Sequence, residues 1–161
     1  MKNSNSITRA ELLHPTKKAN FISFVEEIEN TFTDIDSILI CQGLRTFAEQ
    51  DADYAVGRTV PDRNGTPPPS KIVTRAKGGQ SWHCYGLAID IVPIVNAQID
   101  WNYDYSKFKS IAEKYGLTWG AAWHDNDHYE DNCKQGASGW HWALNKYNSK
   151  DFIAGTEYIN I

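Results

Sequence analysis

Residues 81–92 read Ser81-Trp82-His83-Cys84-Tyr85-Gly86-Leu87-Ala88-Ile89-Asp90-Ile91-Val92. The second half, from Leu87 to Val92, is a short apolar run of the kind that forms a buried β-strand. Asp90 lies within that run, and a carboxylate inside an apolar strand is costly to bury unless it is paired or bound to a metal. His83 precedes the strand by a few residues. A turn-capping aspartate and a solvated histidine are the alternative, but the cost of burial favours a ligand pair.

The residues before this stretch predict two helices and a strand. An apolar stripe at helical spacing predicts an amphipathic helix over roughly 17–33. Residues 37–42 form a short apolar run that predicts a buried strand. Thr46 and Glu49 match a capping box, which predicts a second helix over about 47–56.

The remaining pattern mixes helices and strands without a regular βαβ repeat. Residues 60–70 hold four of the six prolines and are predicted to be a loop that flanks the substrate. Residues 105–115 again show helical spacing, which ends before Gly116. We therefore expect an α+β fold in which helices flank a small antiparallel sheet.

The composition predicts one soluble globular domain over residues 1–161, with 41% hydrophobic and 22% charged residues. A net charge of −4 argues against nucleic acid as a partner. Because we find neither an apolar run of about 20 residues nor a signal-peptide pattern, we expect cytoplasmic synthesis and no membrane insertion. Three widely spaced cysteines, Cys41, Cys84 and Cys133, are predicted to be free thiols.

A second cluster of polar residues follows at Asp125-Asn126-Asp127-His128-Tyr129-Glu130. Taken alone, it could be a solvated acidic loop. A hydrolytic zinc site, however, needs three protein ligands and one open position, and His83, Asp90 and His128 would supply that set. An acid close to the metal must then act as general base, and Asp125 is the best-placed one.

These residues resemble a known family, the zinc D-Ala-D-Ala carboxypeptidases and L-alanyl-D-glutamate peptidases of peptidase family M15. The family motif S-x-H-x-x-G-x-A-x-D is matched at all its specified positions within residues 81–90. The blocks 42–50, 57–59, 115–120 and 125–130 are similar to further family motifs, so the resemblance covers about residues 14–144. Ala121 and Asp127 depart from the family pattern, where glycine and proline are usual.

The resemblance implies a Hedgehog/D-Ala-D-Ala peptidase type of fold and a bound Zn²⁺ held by His83, Asp90 and His128. It also implies Asp125 as the catalytic acid/base, and Arg45 as a catalytic and substrate-binding residue that faces an oxyanion or a substrate carboxylate. Ser81 would hydrogen-bond the peptide. Beyond the resemblance, Trp82 is the tryptophan best placed to touch substrate, because it adjoins the predicted ligand histidine.

The substrate implied by the resemblance is the stem peptide of peptidoglycan. An aspartate at position 125 favours the L-alanyl-D-glutamate endopeptidase branch, which includes many phage endolysins, over the D-Ala-D-Ala carboxypeptidases. We expect a monomer that reaches the cell wall through a holin-type pore.

Alternatives remain open for the site and for the function. His141 is the rival third ligand, and His124 is a weaker one. A zinc-bearing binding module without catalysis is a second functional class. A thiol peptidase that uses Cys84 is a third, which is disfavoured because nothing in the sequence indicates an activated thiol.

Overall fold

The computed structural model describes residues 1–132. Within this range the chain forms four α-helices, α1 (Ser4–Glu11), α2 (Lys18–Thr31), α3 (Phe47–Ala55) and α4 (Lys109–Lys114). It also forms five strands, β1 (Ser37–Gln42), β2 (Ala88–Val95), β3 (Gln98–Ile99), β4 (Leu117–Trp119) and β5 (His128–Asp131). Short 3-10 helices cover Trp82–Tyr85, Tyr105–Phe108 and Gly120–Trp123.

The strands build one antiparallel sheet in the order β1-β2-β5-β4, and β3 pairs with the end of β2. Because side chains alternate across a strand, one face of the sheet is apolar and the other carries polar groups. The apolar face packs on α1, α2 and α4, and its buried core includes Phe21, Phe24, Val25, Ile28, Ile38, Ile40, Ile89, Ile91 and Tyr129. The expected α+β architecture is confirmed.

Most predicted elements are present close to their expected bounds. The predicted helix over 17–33 is α2, and the predicted strand over 37–42 is β1. The capping box is formed, since the Glu49 N–H donates to Thr46 Oγ1 at 3.2 Å and the Thr46 N–H donates to Glu49 Oε2 at 2.8 Å. The predicted strand over 87–92 is longer than expected and forms β2.

Other expectations are met in part. The helical pattern over 105–115 divides into the 3-10 helix Tyr105–Phe108 and α4, and Gly116 follows with a φ of +70°. Cys41 and Cys84 are free thiols, whereas Cys133 lies outside the described residues. In residues 1–132 no helix combines the length and the apolar character that crossing a membrane requires.

Side chains from the first two helices cover the outer edge of β1. Ser6 Oγ donates to the Ile38 carbonyl at 2.9 Å and accepts the Ile40 N–H at 2.8 Å. The Ile38 N–H donates to the buried Glu29 carboxylate at 2.9 Å. Arg9 donates to the Ile40 carbonyl. The polar backbone groups of this edge are therefore satisfied by side chains instead of a further strand.

We expect Ser6→Ala to lower the free energy of unfolding by about 1–3 kcal/mol, because it leaves buried backbone groups of β1 unpaired. Ser4→Ala, an exposed serine of the same helix, is the matched control and should change it by less than about 0.5 kcal/mol. Urea denaturation followed by circular dichroism measures both. Equal effects of the two substitutions would contradict the role given to Ser6.

Candidate metal centre and active-site cavity

A tight turn places His83 immediately before β2. Ser81 caps the 3-10 helix Trp82–Tyr85, since its Oγ accepts the His83 N–H at 3.3 Å. Gly86 ends that helix in the left-handed region with a φ of +64°. A Cβ at Gly86 would lie 2.7 Å from the His14 backbone nitrogen, so only glycine fits there. The chain therefore passes from His83 through this turn directly into β2, the strand that carries Asp90.

Strand register brings the other two side chains to the same place. Asp90 of β2 lies directly opposite His128 of β5 in the antiparallel pairing. Asp90 Oδ1 is 2.9 Å from His128 Nδ1 and 3.1 Å from His83 Nε2, and the two ring nitrogens are 3.3 Å apart. The three side chains offer donor atoms that all lie within 4.8 Å of one another. Two imidazole nitrogens and one carboxylate oxygen therefore converge on one point.

The far side of each imidazole is held by a second contact. His83 Nδ1 lies 2.8 Å from the Gly43 carbonyl, and His128 Nε2 lies 3.1 Å from Glu130 Oε2. Both acceptors favour a proton on the nitrogen that they contact, so the opposite nitrogen, which faces Asp90, is the one that could bind a metal ion after losing its proton. Such outer contacts fix the tautomer and orientation of metal-binding histidines. The arrangement could hold a metal ion, with its three side chains already oriented.

The charges of the cluster are strongly coupled. Burial alone would raise the pKa of Asp90, but the His83 and His128 rings outweigh it and lower this pKa. Burial would likewise lower the pKa of His128, but hydrogen bonds to Asp90 and Glu130 prevail and raise it to about 10. In the metal-free protein the positive charge of protonated His128 therefore compensates the carboxylates of Asp90 and Glu130. A bound metal ion could supply that positive charge instead.

A cavity of about 240 Å³ opens above the cluster. Besides the three clustered side chains, it is lined by Arg45, Asp53, Arg63, Val73, Thr74, Ser81 and Asp125. The cavity is polar and contains acids, bases and two guanidinium groups. Nucleophile activation and charge stabilisation can both take place in such a space.

Asp125 reaches the cavity from a compact turn between β4 and β5. The Asp125 N–H donates to the Gly120 carbonyl at 3.1 Å, and the His128 N–H donates to the Asp125 carbonyl at 3.4 Å. A Cβ at Gly120 would lie 2.4 Å from the Asp125 carbonyl oxygen, so the turn requires glycine at this position. Ala121, where the family usually has glycine, is the next residue and is not subject to this steric requirement. The turn sets Asp125 three residues before His128 and beside the cluster.

Arg45 is tied to the same site through its backbone and its side chain. Its N–H donates to the His83 carbonyl at 3.0 Å. Its guanidinium donates to Gln50 Oε1 at 2.9 Å and lies 3.4 Å from Asp53 Oδ2. Both partners belong to α3, so the capped helix holds the guanidinium at the cavity wall.

The cavity therefore brings together six of the seven residues singled out from the sequence. Trp82, the seventh, is half-buried and does not line it. His124 is exposed and takes no part in the cluster. His141 lies outside the described residues.

Two other acidic or nucleophilic residues near the site have different environments. Cys84 is fully buried, and burial raises the pKa of its thiol, which disfavours the thiol-peptidase alternative. Burial, followed by the charge of Asp90, raises the pKa of Asp127 to about 6. Asp127 does not line the cavity.

Several contributors were missed by the sequence reasoning. Glu130 was considered only as part of an acidic cluster, yet its position two residues after His128 puts both side chains on one face of a strand. That signal was available once β5 was recognised. Asp53, Arg63 and Thr74 come from segments distant in the chain, and no local pattern predicts their convergence.

Comparisons with known proteins point to one family. A family profile described as D-alanyl-D-alanine carboxypeptidase, of the peptidase M15 type, matches residues 74–131. The chain is 34% identical over 122 residues to the peptidoglycan L-alanyl-D-glutamate endopeptidase CwlK of Bacillus subtilis (strain 168), covering 69% of this chain and 66% of that protein. It is also 34% identical over 106 residues to the L-alanyl-D-glutamate peptidase of Escherichia phage T5, covering 60% of this chain and 66% of that protein.

Each alignment thus spans slightly less than two thirds of the relative's own length. A solved structure, that of the Serratia marcescens L-Ala D-Glu endopeptidase ChiX, is similar with a TM-score of 0.54 at 18% identity. The similarity covers 79% of this chain and 86% of that one. At this identity the likeness concerns the fold.

We expect the affinity of the cluster for a divalent transition-metal ion to increase with pH between about 6 and 9. The raised pKa of His128 means that the metal must displace a proton, and each unit of pH should then change the affinity up to about tenfold. Calorimetric titration in two buffers of different ionisation enthalpy counts the protons released. Glu130→Gln removes one contact that raises this pKa and should release fewer protons. Metal binding without proton release would contradict the raised pKa of His128.

Proposed function

Because the chain belongs to peptidase family M15, we propose that it is a zinc peptidase that hydrolyses the L-alanyl-D-glutamate bond of peptidoglycan stem peptides. The observation that carries this proposal is the convergence of His83, Asp90 and His128 in one cavity with Asp125 and Arg45. A binding module would need the metal ligands but neither an additional acid nor a guanidinium beside them. Their presence favours an enzyme.

The donor set fits zinc. Two neutral imidazoles and one carboxylate are a usual ligand set of catalytic zinc, with a fourth position left open. The outer contacts of His83 with Gly43 and of His128 with Glu130 supply the orientation that such ligands need. A zinc ion held there would polarise the scissile carbonyl and make water a stronger nucleophile.

Asp125 is the residue that we assign as general base. It lines the cavity beside His83 and His128, and its side chain contacts Asp127, which is not one of the clustered side chains. Glu130 is committed to His128, and Asp127 lies outside the cavity lining. Asp125 would accept the proton of the attacking water and return it to the leaving amine.

Arg45 would stabilise the negative charge that develops on the carbonyl oxygen. Its guanidinium is held at the cavity wall by Gln50 and Asp53, so little reorganisation is needed when the charge appears. Fixed donors directed at developing charge are among the largest contributions to catalysis. Ser81, on the same wall, is placed to hydrogen-bond the peptide, although its Oγ already accepts the His83 N–H.

Two lines of support favour the L-alanyl-D-glutamate bond. Asp125 is an aspartate, as in the endopeptidase branch that the sequence resembles, and both relatives described above are named for that bond. One of them is a phage protein, which supports an endolysin role; release through a holin-type pore is part of the proposal. The family profile is described by D-alanyl-D-alanine carboxypeptidase activity, and this is the second candidate function.

We expect the purified protein to contain one zinc per chain, and His128→Ala to lose it. His141→Ala, the matched histidine substitution, should retain it. Elemental analysis after dialysis measures both variants. Full zinc occupancy in His128→Ala together with loss in His141→Ala would move the third ligand to His141.

We expect Asp125→Ala to keep its zinc and to lose about 10²- to 10⁴-fold in turnover, because the general base is removed. Glu113→Ala is the matched control, since this exposed acid of α4 does not line the cavity. Rates on purified peptidoglycan fragments, with zinc content measured on the same samples, provide the comparison. Near-normal turnover of Asp125→Ala would exclude Asp125 as the base.

We expect hydrolysis of purified muropeptides to separate L-alanine from D-glutamate. Arg45→Ala should lower kcat more than it raises KM, because its contact forms chiefly in the transition state. Mass spectrometry identifies the bond, and initial rates give both constants. Release of free alanine from the pentapeptide terminus, with the L-Ala-D-Glu bond intact, would favour the carboxypeptidase alternative.

A further inference from the structure

Arg63 is a cation of the active-site cavity that the proposed reaction leaves without a role. It belongs to the proline-rich loop over residues 60–70, and its side chain lines the cavity. Arg45, the other guanidinium there, is paired with Asp53. Within residues 1–132, Arg63 forms no ion pair. Its charge is therefore available to a ligand.

The loop is ordered by its own hydrogen bonds and not by Arg63. The Asp62 carboxylate accepts the backbone N–H groups of Asn64 and Thr66, each at 2.9 Å. These contacts lower the pKa of Asp62, the Thr66 contact most. The carboxylate of Asp62, next to Arg63 in the chain, is thus hydrogen-bonded to the backbone. Arg63 therefore lies in a loop whose conformation is already fixed.

A second cavity, of about 350 Å³, adjoins the first. Arg63 and Val73 line both cavities, so the two spaces meet along these side chains. Lys71 adds a second basic group to the outer cavity, and Ile72 and Val73 are 47% and 39% exposed. The outer cavity therefore carries two basic side chains, two exposed apolar ones and Asp62, whose carboxylate accepts backbone N–H groups.

The substrate class supplies a group that matches these basic side chains. D-Glutamate has two carboxyl groups, and a peptide chain can continue through only one of them. The other is a free carboxylate on the residue adjacent to the scissile bond. Asp125 would repel that carboxylate, whereas a guanidinium binds it through two parallel hydrogen bonds.

We propose that Arg63 binds the free carboxylate of the residue that follows the scissile bond, and that the outer cavity holds the peptide continuing from it. This inference rests on the proposed function and identifies the residue that would give it selectivity. Arg63 is a specificity-determining residue, whereas Arg45 acts on the reacting carbonyl. The two arginines of one cavity thus have separable kinetic effects.

The test compares two synthetic tripeptides that differ at one group. The first is L-alanyl-γ-D-glutamyl-L-lysine with its free α-carboxylate, and the second carries a carboxamide there. The zinc-loaded protein should cleave the carboxylate peptide with a kcat/KM about 10- to 100-fold higher, the range of a charged hydrogen-bonded contact. Arg63→Met should remove this preference, mainly through a higher KM for the carboxylate peptide.

Arg75→Met is the matched control, because Arg75 is exposed, lies in the same part of the chain and lines neither cavity. It should keep the preference. Equal cleavage of both peptides by the unsubstituted protein, or an unchanged preference in Arg63→Met, would overturn this inference and leave the proposed function intact. Cleavage of neither peptide would overturn the proposed function, and this inference with it.

Discussion

The carboxylate of Asp90 in the middle of β2 is the constraint around which the molecule is arranged. A negative charge in a strand whose neighbouring residues Ala88, Ile89 and Ile91 are buried is destabilising unless opposite charge reaches it. Compensation comes from two directions, from His83 through the turn at Gly86 and from His128 through the register of β5. The central position of β2 between β1 and β5 is what allows both rings to reach the same oxygen.

Much of this arrangement could be predicted from the sequence, because the decisive signals are local. The apolar run that contains Asp90 predicted a buried strand with a paired acid, and the capping box predicted the start of α3. Helix α1 was not predicted, since only Ser6 and Ala10 of its eight residues are buried. Strand β5 was not predicted either, because three of its four residues are polar and its conformation depends on pairing with β2.

The cavity shows why the site itself was only partly predictable. Its lining combines residues from the segment after β1, from α3, from the proline-rich loop and from the turn before β5. Motifs located the three clustered side chains and Asp125, each within a few residues of a recognisable pattern. The pairing of Arg45 with Asp53 and the position of Arg63 depend on long-range packing, and they decide which charges remain available to a substrate. Among the described residues, pairing within the cavity leaves Arg63 as the guanidinium without an ion pair.

The covered edge of β1 has a consequence for how the protein behaves among its own copies. An edge strand with free N–H and C=O groups can recruit a strand from another molecule and start β-sheet aggregation. Ser6, Arg9 and Glu29 occupy those groups on β1. The polar side chains of α1 and α2 therefore protect the outer strand from intermolecular pairing as well as stabilising it.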